Sequence, residues 1–221
     1  MRKVSGSTVA RLSLYLRRLA ELAAAGVETF SSEELAARCQ TTAAQVRKDL
    51  SFFGAFGTRG RGYVVTDLLV ELRRILGLER RWRVGLVGAG KIGAALFEHR
   101  DLALQGFDIE AVYDSDPAKV GTVWNGVVVQ TSAELDGLRG TGIEIVIVAV
   151  PAGSAQEVVD RVVAGGIRAI LNFAPTPLDV PPDVTVRTVN MALELESLSY
   201  ALANEARGAR TVRSRPAASR G

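Results

Sequence analysis

Cysteine is nearly absent from this chain. The single residue, Cys39, excludes an internal disulfide, and its place in the helical pattern ELAARC suits a small packed side chain in a reducing compartment. Histidine is equally scarce, with His99 alone. No metal site is therefore expected, and no catalytic residues: no constellation of His, Tyr and Lys offers a proton donor for hydride chemistry. No apolar run approaches the roughly 18 residues of a membrane span, so a cytoplasmic protein with no membrane contact is expected. Acids are missing before Glu21, and the Arg- and Ser-rich start faintly suggests a transit peptide. Against that, Val9, Leu12, Leu16, Leu19 and Leu22 form a helical core stripe, which makes the segment part of a folded domain.

The 221 residues and 48% apolar content support a sizeable core. Charge then divides the chain. Residues 1–81 hold 14 Lys+Arg against 8 Asp+Glu (net +6), residues 82–200 hold 8 against 15 (net −7), and residues 201–221 hold 5 against 1 (net +4). The cationic front points toward a polyanion, while the anionic middle argues against general adhesion to nucleic acid.

In the front segment, Ser31-Ser32-Glu33-Glu34 places a capping hydroxyl three residues before a glutamate, and Thr42-Ala43-Ala44-Gln45 repeats that logic. Two short helices are expected, roughly Ser32 to Cys39 and Ala43 to Phe53, joined by a turn around Gln40 and Thr41: the proportions of a helix-turn-helix. On the second helix Val46, Leu50 and Phe53 share one face and leave Arg47, Lys48 and Ser51 on another. Such a helix enters the major groove of DNA by its N-terminal part, so Gln45, Arg47, Lys48 and Ser51 are the candidate contacts. The glycine-punctuated stretch from Gly54 to Val65 then reads as a short β-hairpin, a wing with Arg59 and Arg61 at its tip. Arginine there suits a narrow A·T minor groove.

WRVGLVGAGKIG, Trp82 to Gly93, is an apolar strand running into Gly88-x-Gly90-x-x-Gly93. That glycine pattern is weak by itself. Its context strengthens it: Asp108 to Asp114 reads as a second strand ending in an acid about twenty positions on, where a carboxylate can accept from ribose hydroxyls. The first glycine permits a tight turn, the second a close approach of pyrophosphate, and the third the packing of the next helix, whose N-terminus faces phosphate. Gly88, Ala89, Gly90, Lys91, Ile92, Gly93 and Asp114 are the candidate cofactor-binding residues. Asp114 would repel a 2′-phosphate, so NAD(H) is expected over NADP(H). Glu144 to Val150 reads as a central parallel strand, whose carboxyl end brings Val150 and Pro151 to the cofactor. Ala169 to Phe173 and Val184 to Val189 supply further strands, with a helix near Ser154 to Ala164. From Asn190 to Ala206, Met191, Leu195, Leu198 and Leu202 recur at 4, 3, 4 spacing, a stripe suited to burial against a second subunit.

The chain resembles the Rex family of bacterial redox-sensing repressors. The likeness is carried by RLSLYLRRL, SSEELA, TAAQVRKDLSFFGAFGTRGRGY, LGL, VGAGKIGAAL, YDSDPAKVG, VPAGSAQEV and ILNFAPTPLDVP, which span nearly the whole sequence. The resemblance implies a homodimer with exchanged C-terminal helices, bound to a double-stranded, inverted-repeat operator and released by NADH. Lys48 falls on the family's recognition-helix lysine, Arg59 on its wing arginine, and Asp114 on its ribose-binding acid. Arg17 falls on an arginine paired across the dimer with an aspartate, but here that partner is Asn190. Beside it, Met191 replaces a phenylalanine, and His99 replaces a tyrosine of the same switch. Asn190 cannot give Arg17 a full charge partner, so an altered response to the reduced cofactor is expected. His99 can act as a donor or add pH dependence, or be simply a partly exposed helix residue.

The expected fold is α/β: a winged helix-turn-helix domain over residues 1–78, a Rossmann-like parallel-sheet domain over 79–189, a C-terminal dimerisation helix over 190–206, and a disordered basic tail over 207–221. The alternative function is an NAD-dependent oxidoreductase with a helical extension. It lacks a substrate domain, since only about thirty residues follow the Rossmann segment. A weaker alternative is a module binding coenzyme A or S-adenosylmethionine.

Overall fold

The computed structural model describes residues 4–54, 56–57 and 62–213, with side chains of the last helix described through residue 204. The chain divides into two compact units, Met1–Arg81 and Trp82–Gly221.

In the first unit, helix α1 (Gly6–Ala24) starts where Ser5 Oγ accepts from the Thr8 amide. Its buried face is Thr8, Leu12, Tyr15, Leu19 and Leu22. The expected stripe is thus rotated: Val9 is 42% exposed and Leu16 only partly buried, because Tyr15, not Leu16, is the residue that fills the core. Strand β1 (Thr29–Phe30) precedes α2 (Ser32–Arg38), which begins with the expected reciprocal capping box between Ser31 and Glu34. The left-handed turn residue Gln40 (φ 51°) redirects the chain into α3 (Ala43–Ser51). Thr42 caps α3 by accepting from the Gln45 amide, yet the reciprocal half of that box is missing, since the Gln45 side chain donates to Asp49 instead. α3 also ends two residues before Phe53. Strand β2 (Tyr63–Val64) leads into α4 (Val65–Ile75), and it pairs antiparallel with β1. The described partner of Tyr63–Val64 is Thr29–Phe30, upstream of α2, while residues 55 and 58–61 of the expected hairpin lie outside the described residues. The ring of Phe30 stacks on Tyr63 with centroids 5.4 Å apart, reinforcing that register. Leu12, Leu19, Leu35, Val46, Leu50, Leu68 and Leu72 close the core of this unit.

The second unit is built on β3 (Trp82–Val87), followed by α5 (Lys91–Phe97), α6 (Arg100–Leu104) and β4 (Phe107–Asp114). A hairpin, β5 (Val123–Trp124) and β6 (Val127–Thr131), comes next, then a 3₁₀ turn, β7 (Ile145–Val148), α7 (Ala152–Ala164), β8 (Ala169–Asn172) and β9 (Thr185–Thr188). The sheet order is β5-β6-β4-β3-β7-β8-β9, parallel throughout except for edge strand β5. Six parallel strands therefore follow the doubly wound dinucleotide-binding order, whose reversal point lies at β3. Val84, Leu86, Val112, Val146 and Val148 are buried, as central strands covered on both faces require. The last described element is α8 (Met191–Arg213), longer than expected. Residues 207–213, expected in a disordered tail, continue this helix, because EARGARTVR is rich in helix formers and holds one glycine and no proline.

Candidate functional site

Each glycine of the loop after β3 meets a different steric demand. Gly88 has φ 106°, and a Cβ there would run into the Ala149 carbonyl. At Gly93 a Cβ would overlap the Gly88 carbonyl, so only hydrogen lets α5 close against the loop. At Gly90 a Cβ would meet nothing within 4 Å. The first and third glycines are thus fixed by the protein itself, and the second faces open space, where a ligand backbone can approach. Gly90 also caps α5 with no side-chain acceptor for its first amides.

Asp114 closes this loop from the end of β4. It is 8% exposed; Oδ2 accepts from the Ala89 amide at 2.7 Å and from Lys119 Nζ at 3.2 Å, while Oδ1 accepts from the Asp116 amide at 2.8 Å. Burial alone would push its pKa up. The amides of Asp116 and Ala89, together with Lys119, outweigh burial and hold the carboxyl below its usual range. Three of about four acceptor positions are used, so one remains for a hydroxyl. A cleft of about 850 Å³ opens here, lined among others by Gly88, Gly90, Asp114, Val150 and Pro151. Lys91 and Ile92 also line it, exposed at the start of α5, whereas Ala89 is buried and contributes its amide to Asp114. Sequence reasoning missed Lys119 and Arg161 on the same wall. Lys119 had a readable signal, five residues past Asp114. Arg161 had none, since what places it is an ion pair with Asp136 across to the 3₁₀ turn.

On the first unit, α3 presents Ala44, Arg47, Lys48 and Ser51 to solvent. Ser51 Oγ donates to the Lys48 carbonyl, and Arg47 Nη1 donates to Ser32 Oγ and Glu33 Oε1 on α2. Gln45 is turned off this face toward Asp49. Arg59 and Arg61 lie outside the described residues, and so does the tip of the expected wing. The structure therefore brings Arg47, Lys48 and Ser51 together and separates Gln45 from them.

The residues expected to form the switch have other local roles. His99 is not inside a helix: it is exposed at the N-cap of α6, between α5 and α6. Asn190 starts α8, with Oδ1 accepting from the amides of Ala192 at 3.0 Å and Leu193 at 3.4 Å. Met191 is 66% exposed, and Arg17 is exposed on α1. Every described side chain of α8 from Met191 to Asn204 is exposed, including Leu195, Leu198 and Leu202. Among the described residues no group of His, Cys, Asp and Glu could hold a metal ion, and no helix is long and apolar enough to cross a membrane.

Family models match both units: "Putative DNA-binding protein N-terminus" over residues 3–51 and "CoA binding domain" over residues 79–176. A redox-sensing transcriptional repressor Rex from Roseiflexus sp. (strain RS-1) is 48% identical over 203 residues, covering 91% of this chain and 92% of its own length. A protein of the same name from Streptomyces coelicolor is 46% identical, covering 90% and 78% respectively. Among solved structures, the Rex-family repressor RSP in complex with NAD⁺ and operator DNA superposes with a TM-score of 0.88 at 34% identity, over 98% of this chain and 100% of that one. RSP with NADH gives 0.85 at 33% identity, over 96% and 100%. These relatives are named as repressors, not enzymes. With the helix-turn-helix of its first unit and the glycine loop of its second, the chain belongs to the Rex family of redox-sensing transcriptional repressors.

Proposed function

We propose that this chain is a cytoplasmic, homodimeric repressor that binds an inverted-repeat operator and senses the NADH/NAD⁺ balance through the cleft at Gly88–Gly93. The observation that carries this reading is Gly90, open to a ligand on one side of a loop that is otherwise closed by Gly88, Gly93 and Asp114. Asp114 supplies the ribose acceptor, Val150 and Pro151 the opposite wall, and Lys48 and Ser51 the groove-facing side of α3. Arg59 and Arg61 extend that contact into the minor groove. The exposed stripe of α8 is proposed to pack on a second copy, with Arg17, His99, Asn190 and Met191 linking the subunits to the ligand site. A coenzyme A ligand is disfavoured, because Asp114 would face its 3′-phosphorylated ribose. An oxidoreductase is disfavoured, because the relatives that span nearly the whole of this chain are named as repressors.

The test uses duplex selected from a random pool as the probe. NADH and NAD⁺ are titrated separately while DNA release is read by fluorescence anisotropy. Release by NADH at lower concentration than by NAD⁺ is expected, and no difference between the two would remove redox sensing. The same titration decides the effect of Asn190, Met191 and His99: full, selective release by micromolar NADH would show that these three substitutions leave the coupling intact. At the ligand site, Asp114→Ala is expected to weaken NADH by about 10- to 100-fold, as loss of charged hydrogen bonds of about 1.5–3 kcal/mol would do. It should also narrow the preference for NADH over NADPH, which calorimetry with both cofactors measures.

A further inference from the structure

The exposed face of α3 carries an acid borrowed from the neighbouring helix. Arg47 Nη1 donates to Ser32 Oγ at 2.7 Å and to Glu33 Oε1 at 2.9 Å, while the Ser32 hydroxyl donates to Glu33 Oε2 at 3.2 Å. The three groups close a ring. Ser32 is buried at 6% exposure, which fixes one corner, whereas the side chains of Arg47 and Glu33 are 53% and 67% exposed. Its own backbone amide and then Arg47 hold the Glu33 carboxyl below its usual range, so it is fully charged at neutral pH.

An ion pair this exposed adds little stability. α2 does not need it, since the Ser31–Glu34 box already starts the helix and Leu35 anchors it in the core. What the pair does is chemical: a guanidinium and a hydroxyl that hold a carboxylate present the donors that hold a phosphate oxygen. We propose that Ser32 and Arg47 form a seat for a phosphate of the DNA backbone, and that Glu33 fills this seat in the free protein as an internal competitor. The proposal rests on the reading of α3 as a DNA-facing helix.

The consequence is electrostatic. When a phosphate displaces Glu33, the duplex releases a counterion, but the freed carboxylate attracts a cation in its place. Arg47 then contributes less to affinity, and less to salt dependence, than an unpaired arginine would. Glu33 thus restrains binding that has no sequence preference, because a phosphate contact carries no base information.

Glu33→Gln removes the competing charge and keeps an acceptor for Arg47. Binding of the full chain to a scrambled duplex should tighten roughly fivefold near 0.1 M salt, and the slope of log affinity against log salt should steepen by about 0.9 per engaged subunit. In an Arg47→Gln background the same Glu33 substitution should leave the slope unchanged. An unchanged slope in the single variant overturns the proposal. So does equal steepening in both backgrounds, which would make Glu33 a general repulsive charge acting without Arg47. Failure of the parent protein to bind any duplex would overturn the DNA-facing reading of α3 itself, and the seat with it.

Discussion

A Gly90→Ala variant is expected to hold operator DNA as the parent does and to ignore NADH. The added methyl group meets no protein atom within 4 Å, and the backbone at Gly90 (φ −88°) accepts any residue, so folding is undisturbed. Its Cβ projects instead into the space through which a pyrophosphate must approach the loop. A displacement of about 1 Å at such a site is enough to ruin it, so NADH affinity should fall roughly 100-fold or more, about 2.7 kcal/mol. Gly93→Ala should lose NADH equally but for another reason. There the methyl group collides with the Gly88 carbonyl, which forces the loop off α5 at a cost of about 1–3 kcal/mol in stability. Calorimetry with NADH and thermal melting separate the two: binding is lost in both variants, and the melting temperature falls only in Gly93→Ala. A Gly90→Ala protein that still left DNA on addition of NADH would place the pyrophosphate away from this loop.

The contrast between these glycines shows what kind of information the sequence carries. Gly88-x-Gly90-x-x-Gly93 was readable because it sits at a fixed spacing after a buried strand, and the strands VGLV, AVYD and IVIV were readable because parallel strands covered on both faces are continuous apolar runs. The β5–β6 hairpin was equally legible and was overlooked: Asn125-Gly126, at φ 46° and 89°, forms the two-residue turn that this dipeptide favours. Other features lie beyond local pattern. A stripe through Val9 and Leu16 and one through Thr8 and Tyr15 are adjacent faces of the same helix, and only the packing of α1 in its own unit chooses between them. Likewise Gln45 looked like half of a capping box, and nothing in RKDLS marks Asp49 as the centre of a buried network. Gln45 is the i,i+4 neighbour of Asp49, but the other partners of Asp49, Arg11 and Tyr15, stand 38 and 34 positions away in the chain, which no spacing rule reaches.

That hidden cluster supplies the other large effect, since Asp49→Ala is expected to cost about 3 kcal/mol. Asp49 is 1% exposed and accepts from Arg11 Nε at 2.6 Å, Arg11 Nη2 at 2.8 Å, Tyr15 Oη at 3.0 Å and Gln45 Nε2 at 2.8 Å. Removing one member of a buried charged network costs about 3–5 kcal/mol because its partners are left unsatisfied. The low end applies, for Arg11 is 29% exposed and can turn to water, whereas the Tyr15 hydroxyl is buried and cannot. Burial alone would push the Asp49 pKa up, but Arg11, Gln45 and Tyr15 outweigh burial and hold it below its ordinary value. A carboxyl depressed in the folded state stabilises the protein above its unfolded pKa of about 3.9, and this contribution disappears as pH falls through the lower folded value. The stability advantage of the parent over Asp49→Asn should therefore be constant near neutrality and shrink below about pH 4, which denaturant titrations across that range measure. The same network ties α1 to α3, so both variants should also bind operator more weakly at neutral pH by loosening the helix that carries Lys48. An advantage independent of pH down to about 2 would mean that the Asp49 carboxyl has the same pKa folded and unfolded, and that its contacts with Arg11, Tyr15 and Gln45 do not favour the charged form.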